Sequence, residues 1–262
     1  MKKIVLFDMD GTLTPARKKM ERKVLNALTD LQNADFEIGI VTGSDLNYVQ
    51  QQMEIALDIS PLDVFQIHFL PCNGTKYYRL GQGGFLNLYE KDMRVELGEE
   101  NWRNFIQTLC NLQSSLTSFY NHPLTGNFIN YRGSMVNWCP IGRQATTADR
   151  EEWCGLDEEQ RVRETWLWVA RMAMNNIGLE DVVIKLGGDT SFDIYPKGWD
   201  KTFAFNNFSE YDKIYFIGDR CEPQGNDHEA YLLAGDLGYS TTGPNQTISI
   251  IKEIIKKEGA NA

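Results

Sequence analysis

Residues 7–14 of the chain read FDMDGTLT and complete an apolar segment, Lys3–Phe7. Alternate side chains of a strand point to the same side, so we expect Asp8 and Asp10 to emerge together at the carboxyl end of this strand. Open α/β sheets bind their ligands at that end. Two neighbouring carboxylates repel each other unless a cation or a proton lies between them. The stretch therefore indicates a Mg²⁺ site or a carboxylate nucleophile beside a proton-transferring carboxyl group, with a simple polar turn as the alternative.

The composition limits the class of protein. Of the 262 residues, 42% are hydrophobic and 24% are charged, which is typical of soluble globular proteins. The net charge of -10 disfavours binding to nucleic acid or to an anionic membrane. The five cysteines are scattered without a Cys-x-x-Cys pair, which indicates reduced thiols. No apolar run approaches the roughly 20 residues of a membrane span, and the first strand leaves no room for a cleavable signal, so we expect a cytoplasmic protein.

The hydrophobic pattern predicts two domains. Strands and a helix alternate over the first 70 residues, which predicts an α/β core with a Rossmann-like, doubly wound parallel sheet. Gly81, Gly83 and Gly84 interrupt this pattern, and Gly187-Gly188 marks its return. In between, helices at about 99–113 and 158–177 flank strand-like segments, as in an α+β domain. We therefore expect a core domain of residues 1–81 and 188–262, with an inserted cap domain of residues 82–187.

A second acidic cluster follows the apolar segment at 213–217. If that strand is a neighbour of the first one, four carboxylates converge at one edge of the sheet, namely those of Asp8, Asp10, Asp219 and Asp227. Sites rich in carboxylate oxygens favour Mg²⁺. For either cluster alone, a solvated loop with acidic helix caps is the alternative.

Two further segments offer groups that can bind a phosphate. Thr42 and Ser44 lie between an apolar strand and a helix, where hydroxyl and N–H groups can hold an anion, although a helix cap is the more common use of such residues. Lys201 can supply the positive charge that a phosphorylated aspartate requires. An isolated lysine is usually a surface residue, so Lys201 indicates a phosphate site only in combination with the other motifs.

Taken together and in this order, FDMDGTLT, the hydroxyl residues at 42–44, Lys201 and GDRCEPQGND at 218–227 resemble the four motifs of the haloacid dehalogenase superfamily of phosphotransferases. The resemblance implies that Asp8 is the nucleophile and that Asp10 is the general acid/base. It also implies two ligand sets: Thr42 or Ser44 with Lys201 for the transferring phosphate, and Asp8, the Asp10 backbone and Asp219 for Mg²⁺.

The predicted cap is similar to the substrate-binding cap of the eukaryotic-type phosphomannomutases. The similarity lies in RGSMVN at 132–137, PIGR at 140–143 and the spacing of three arginines, and it extends to GGDTSFDIYPKGWDK at 187–201. Arginine suits bidentate phosphate binding, and a basic surface patch is the alternative. The substrate-binding residues that the resemblance implies are Arg17, Arg132, Arg143, Arg150, Ser191 and Asp193.

The resemblance implies an enzyme that interconverts mannose 6-phosphate and mannose 1-phosphate through an aspartyl-phosphate and a hexose 1,6-bisphosphate, which is also the activator. It further implies a hexose phosphate substrate and a homodimer through the cap, with which the apolar Trp166 and Trp168 are compatible. A sugar-phosphate phosphatase of the same superfamily is the alternative, because it shares every core motif. Leu233 stands where the family has a carboxylate, which puts a second cation site in doubt.

Overall fold

The computed structural model describes residues 1–58, 61–223 and 225–259. The chain forms two compact units, which we call the core unit (Met1–Glu90 with Gly198–Ala262) and the cap unit (Lys91–Lys197). In the described part of the chain, no helix has the length and apolar character needed to cross a membrane. The strands are β1 (Lys3–Phe7), β2 (Phe36–Val41), β3 (Ile67–Leu70), β4 (Lys76–Gly81), β5 (Gly84–Glu90), β6 (Ile129–Tyr131), β7 (Val136–Trp138), β8 (Val182–Gly187), β9 (Ser191–Pro196), β10 (Lys213–Gly218) and β11 (Gly238–Ser240). The α-helices are α1 (Arg22–Asn33), α2 (Leu46–Gln52), α3 (Glu54–Asp58), α4 (Met93–Leu97), α5 (Glu99–Phe119), α6 (Thr147–Gln160), α7 (Val162–Asn176), α8 (His228–Ala234) and α9 (Pro244–Gly259).

The core unit is built on one sheet with the strand order β11-β10-β1-β2-β3-β4-β5. The strands from β11 to β3 run parallel, and β4 and β5 continue the sheet as an antiparallel hairpin. Parallel strands are buried on both faces and read as continuous apolar runs. β1 follows this rule, because Ile4 to Phe7 are all fully buried. The predicted α/β class is confirmed.

Helical segments cover both faces of the core sheet. On one face, Leu28 of α1 and Ile251 of α9 are buried against Val5 and Phe7 of β1. On the other face, the apolar cluster contains Ala230 of α8 together with Ile4 and Leu6 of β1, and the 3₁₀ segment Lys201–Phe208 adds Ala204 and Phe208. This layering is the doubly wound arrangement that the sequence predicts.

The cap unit contains an antiparallel sheet with the strand order β6-β7-β9-β8. One face of this sheet is apolar, where Trp138 of β7 stacks on Phe192 of β9 with ring centroids 4.7 Å apart. The Trp138 indole N–H donates to Gln113 Oε1 of α5 at 2.7 Å, which ties that helix to this face. Because side chains alternate along a strand, Asn137, Ser191 and Asp193 lie on the opposite, polar face.

The structure moves both of the predicted domain boundaries. Residues 84–90 form β5, which pairs with β4, so the glycines at 81–84 make a hairpin turn inside the core unit. Residues 191–196 form β9, which pairs with β7 and β8 and therefore belongs to the cap unit. The helix predicted over 158–177 is also two helices, because Arg161 has a left-handed backbone (φ 51°) that separates α6 from α7.

A buried hydrogen-bond network surrounds His68 of β3. Its Nε2 atom lies 2.8 Å from Glu37 Oε2, and its Nδ1 atom lies 2.6 Å from the Tyr77 hydroxyl. The Arg79 guanidinium lies within 3.2 Å of the imidazole nitrogens. Burial is the main reason that the pKa of His68 falls to about 4, and Arg79 adds to this effect against the opposing hydrogen bond to Glu37. The imidazole is therefore neutral in the folded protein at neutral pH.

We expect this network to make the core unit sensitive to acid. A histidine whose pKa is lower in the folded protein than in the unfolded chain weakens folding as the pH falls below its ordinary value of 6.5, until the pH reaches about 4. For His68, the loss between pH 7 and pH 5 is about 2 kcal/mol. Urea unfolding of the wild type and of His68→Gln at both pH values measures it. The variant should lose about 2 kcal/mol less than the wild type over this interval, and equal losses would contradict the prediction.

Candidate active site

The first acidic motif lies at the carboxyl end of β1, next to the end of β10. The two strands are parallel neighbours with Phe7 opposite Ile217, and the Asp8 N–H donates to the Ile217 carbonyl at 2.9 Å. Asp219 follows β10 directly. The condition under which the two acidic clusters converge, that their strands are neighbours, is therefore met. Parallel strands that end side by side are the reason that residues more than 200 positions apart meet here.

Lys201 lies between two buried carboxylates. Its Nζ atom is 2.5 Å from Asp8 Oδ1 and 2.5 Å from Asp227 Oδ1. The side-chain exposures of Lys201, Asp8 and Asp227 are 1%, 8% and 0%. Burial by itself would lower the pKa of Lys201, but the charges of Asp227 and Asp8 outweigh burial and raise it. Lys201 therefore carries a permanent positive charge beside Asp8, as the superfamily resemblance implies.

The carboxyl groups of this site are electrostatically strained. Burial raises the pKa of Asp8 well above its ordinary value, Lys201 opposes this rise, and Asp227 and Asp219 add to it. Burial and the charge of Asp227 raise the pKa of Asp219 to about 6 against Lys201 and Arg220. The site thus holds more negative charge than its one lysine balances, and it favours a further cation.

The donor set fits a hard divalent cation such as Mg²⁺. Asp8, Asp219 and Asp227 each offer a carboxylate oxygen, and these oxygens lie within 4.8 Å of one another. The backbone comes close to the cluster at Gly11, where a Cβ atom would lie 2.2 Å from Asp219 Oδ2 and the φ of +81° also disfavours a side chain. Both oxygens of Asp227 also accept hydrogen bonds, one from Lys201 and one from the Arg220 N–H at 3.0 Å. The oxygens of Asp8 are engaged in the same way, by Lys201 and, at 3.5 Å, by the Thr12 hydroxyl, so Asp219 is the most available ligand.

The Asp10 side chain is not part of this carboxylate cluster. Asp10 Oδ1 accepts hydrogen bonds from the Tyr48 hydroxyl at 2.7 Å and from the Arg17 N–H at 2.8 Å. Any contribution of Asp10 to cation binding would come from its backbone, in line with the resemblance. Tyr48 is held in turn by Asp45, which caps α2 and accepts the Tyr48 N–H at 2.9 Å. No sequence signal indicated Tyr48, because a tyrosine on a short helix is common.

The hydroxyl segment lies at the carboxyl end of β2, the other neighbour of β1. Thr42 is buried, and its Oγ1 atom accepts the Ser44 N–H at 3.2 Å. The Ser44 carbonyl accepts the Cys72 N–H at 2.9 Å, which anchors the loop from the side of β3. Asp45, rather than either hydroxyl residue, is the cap of α2. Phosphate binding by Thr42 and Ser44 stays a prediction.

On the polar face of the cap sheet, the structure brings together three of the predicted substrate-binding residues. The Asn137 amide joins them: its Nδ2 atom donates to Ser191 Oγ at 2.9 Å and to Asp193 Oδ1 at 2.8 Å, and its Oδ1 atom accepts Arg143 Nη1 at 3.2 Å. Asn137 lies inside a segment that resembles the family, but nothing in its own spacing identified it. It is a residue that the sequence analysis missed.

The other predicted arginines lie outside this cluster. Arg150 of α6 donates from Nη1 to Thr190 Oγ1 at 3.0 Å, just before β9. Arg132 follows β6, and its N–H donates to the Met135 carbonyl at 2.8 Å. Arg17 belongs to the core unit, where it is exposed and has a left-handed backbone (φ 60°). The roles of these three arginines in binding a substrate stay predictions. Leu233, which stands where the family has a carboxylate, is 56% exposed on α8, and the expected lack of a second cation site there also stays a prediction.

Sequence comparison decides the family. The sequence model described as eukaryotic phosphomannomutase matches residues 24–257. The chain belongs to the eukaryotic phosphomannomutase family. It is 34% identical over 255 residues to the phosphomannomutase of Schizosaccharomyces pombe, covering 97% of this chain and 94% of that protein. It is 33% identical over 261 residues to human phosphomannomutase 1, covering 98% and 94%. The resemblance inferred from the motifs is confirmed for the chain as a whole.

Solved structures of lower sequence similarity share the fold. The Plasmodium falciparum IMP-nucleotidase matches with a TM-score of 0.68 at 13% identity, covering 97% of this chain and 62% of that one. A trehalose-6-phosphate phosphatase related protein matches with a TM-score of 0.54 at 16% identity, covering 99% and 100%. At these identities the likeness concerns the α/β fold alone. It agrees with the architecture predicted from the hydrophobic pattern.

Proposed function

We propose that the chain is a Mg²⁺-dependent phosphomannomutase that interconverts mannose 6-phosphate and mannose 1-phosphate. The observation that carries the proposal is the buried ion pair of Asp8 and Lys201 in a chain of this family. Phosphoryl transfer needs little covalent chemistry from the protein beyond a positioned nucleophile and positive charge. Asp8 and Lys201 supply both.

In the proposed reaction, an Asp8 carboxylate oxygen attacks the phosphorus of a hexose 1,6-bisphosphate, and the bond from phosphorus to the sugar oxygen breaks. Asp10 gives a proton to the departing oxygen, which becomes the hydroxyl of a hexose monophosphate. It takes a proton from the free hydroxyl of a monophosphate phosphorylated at the opposite end when that hydroxyl attacks the aspartyl-phosphate, which regenerates the bisphosphate and the Asp8 carboxylate. Lys201 balances the charge of the Asp8 carboxylate before it attacks, and again when that charge returns as the aspartyl-phosphate breaks down. Mg²⁺, held by Asp8 and Asp219 with Asp227 beside them, would neutralise the negative charge of the transferring group.

The cap residues supply the second half of the proposal. A mutase has to hold the distal phosphate while the other end of the sugar reacts, and a phosphatase has no such need. Arginine is suited to this binding, and Arg132, Arg143 and Arg150 all belong to the cap unit. Ser191 and Asp193, next to Arg143 in the Asn137 cluster, would contact the sugar hydroxyls.

We extend the proposal to a cytoplasmic homodimer that forms through the cap. Trp168 and Met172 are one helical turn apart on α7 and are 65% and 43% exposed, which supports an apolar contact there. Trp166, which was expected to be compatible with the same contact, is only 5% exposed and packs within the cap unit. It therefore has little surface to offer a partner.

A coupled assay tests the proposed activity. Mannose 1-phosphate and glucose 1-phosphate are supplied with Mg²⁺, each with and without catalytic hexose 1,6-bisphosphate, and released phosphate is measured in parallel. We expect isomerisation of mannose 1-phosphate that depends on the bisphosphate, with little phosphate release. Net phosphate release that does not depend on the bisphosphate would favour the phosphatase alternative. The absence of both isomerisation and phosphate release would indicate a catalytically silent protein.

A further inference from the structure

Asn137 is fully enclosed at the centre of the polar face of the cap sheet. It is 2% exposed, and its register partner on β9 is Asp193. A guanidinium only donates hydrogen bonds and a carboxylate only accepts them, so these two neighbours fix the orientation of the amide. The Oδ1 atom has to face Arg143, and the Nδ2 atom has to face Asp193 and Ser191.

This orientation determines which hydrogen-bonding position of the Ser191 hydroxyl remains for a ligand. The Ser191 hydroxyl donates its single proton to the Gly187 carbonyl at 2.6 Å and accepts a hydrogen bond from Asn137 Nδ2. A hydroxyl has one donor and two acceptor positions, so the remaining position is an acceptor. The Asp193 carboxylate has only acceptor positions. Both side chains can therefore only receive a hydrogen bond from a ligand.

Gly187 of β8 contributes to the same arrangement from the other side. A Cβ atom at this position would lie 2.7 Å from Asp193 Cγ and 2.8 Å from Asp193 Oδ2. The Asp193 carboxylate thus lies over a residue without a side chain, and the carbonyl of that residue holds Ser191. The backbone of β8 and the amide of Asn137 therefore both restrain the positions of the Ser191 and Asp193 side chains.

On the basis of the proposed function, we infer that Asn137 is a positioning residue that holds Ser191 and Asp193 where they accept hydrogen bonds from substrate hydroxyl groups. The cap then recognises a hexose phosphate through hydroxyls that act as donors. A fluorine atom at the same carbon accepts weakly and cannot donate, so it cannot replace such a hydroxyl. The specificity of the sugar site follows from the polarity of its hydrogen bonds as well as from its shape.

Substrate analogues test the polarity in the wild-type enzyme, without any variant that has to fold. Deoxy and deoxyfluoro forms of mannose 1-phosphate, altered in turn at C2, C3 and C4 and not at the reacting C6 hydroxyl, compete with mannose 1-phosphate for the mutase. At one or more positions, both the deoxy and the fluoro form should bind about 5- to 10-fold more weakly than the parent. Fluoro analogues that bind as well as the parent at every position would overturn the inference.

Two variants test the positioning role. Asn137→Asp keeps an acceptor towards Arg143 but replaces the donor that faces Asp193, so we expect the KM for mannose 1-phosphate to rise about tenfold with a smaller change in kcat. Gly187→Ala should raise KM in the same way, because the added methyl group on β8 would displace the Asp193 carboxylate, which lies over this glycine. Asn111→Asp, exposed on α5, which packs against the opposite face of the cap sheet, is the matched control and should change KM less than twofold. A KM unchanged in both test variants would overturn the inference, whereas a wild type without mutase activity would instead refute the proposed function.

Discussion

Asp8→Asn is expected to abolish phosphoryl transfer while leaving the folded protein at least as stable as the wild type. An amide cannot serve as the nucleophile, so mutase activity should fall by at least about 10³-fold. Stability should change in the other direction. Burial, together with Asp227 and Asp219, raises the pKa of Asp8 despite the opposing charge of Lys201. A carboxyl group whose pKa is higher in the folded protein weakens folding at pH values above its ordinary pKa, and the neutral amide removes this effect at pH 7.

The structure also explains why Asn should fit at this position. The amide oxygen can still accept the hydrogen bond from Lys201 Nζ, and Lys201 keeps Asp227 as its charged partner. The coupled assay, the trapping of phosphoenzyme and thermal unfolding in metal-free buffer measure the outcome. Asp63→Asn is the matched control, because Asp63 caps the turn Val64–Gln66 ahead of β3 and asparagine is an equally good cap: it should keep full activity and change the stability by less than about 0.5 kcal/mol. Substantial activity in Asp8→Asn would contradict the nucleophile assignment, and a clear loss of stability would contradict the electrostatic argument.

The sequence predicted those parts of the site that depend on local pattern. An apolar run that ends in a carboxylate identifies both a buried strand and the residue at its carboxyl end, and β1 and β10 each have this pattern. The sequence left open whether these strands are neighbours, and the pairing of β1 with β10 is what brings Asp8 and Asp219 together. The α/β class and the position of each carboxylate at a strand end were therefore accessible from spacing alone. The roles of the residues needed the family resemblance.

The sequence could not predict contacts whose partners are set by strand register or by tertiary packing. Tyr48 reaches Asp10 from 38 positions away, and Asn137 reaches Asp193 from 56 positions away. Neither residue type is unusual on a helix or a strand, so nothing marks the two in the chain. The domain boundaries failed for a related reason, because a pair of glycines fits a hairpin turn as well as a linker. Only the pairing of β5 with β4, and of β9 with β7 and β8, distinguishes these possibilities.

Replacing Lys201 by methionine is expected to reduce both stability and activity, in contrast to the change at Asp8. The variant leaves the buried carboxylates of Asp8 and Asp227 without the ammonium group that lies 2.5 Å from each of them. Removing one partner of a buried ion pair typically destabilises a protein by about 3–5 kcal/mol, because the remaining charge is uncompensated. Activity should fall by at least about 10²-fold, because the charge that Asp8 carries before it attacks, and regains when the aspartyl-phosphate breaks down, is no longer balanced.

A second change separates the two effects of Lys201. In Lys201→Met/Asp227→Asn, one of the two uncompensated charges is gone, so we expect the double variant to be more stable than Lys201→Met, while activity stays lost because no positive charge faces Asp8. Lys213→Met is the control, since Lys213 pairs with Glu258 at 2.7 Å at the other end of the sheet and Glu258 also contacts Lys3 and the Tyr215 hydroxyl: it should lose less stability than Lys201→Met and keep full activity. Urea unfolding and the coupled assay measure these four proteins and Asp227→Asn alone, because Asp227 also lies at the candidate Mg²⁺ site. Recovery of activity together with stability in the double variant would mean that Lys201 serves only the fold. Recovery of stability alone, beside an Asp227→Asn variant that keeps more activity than the double variant, places the charge of Lys201 in the reaction.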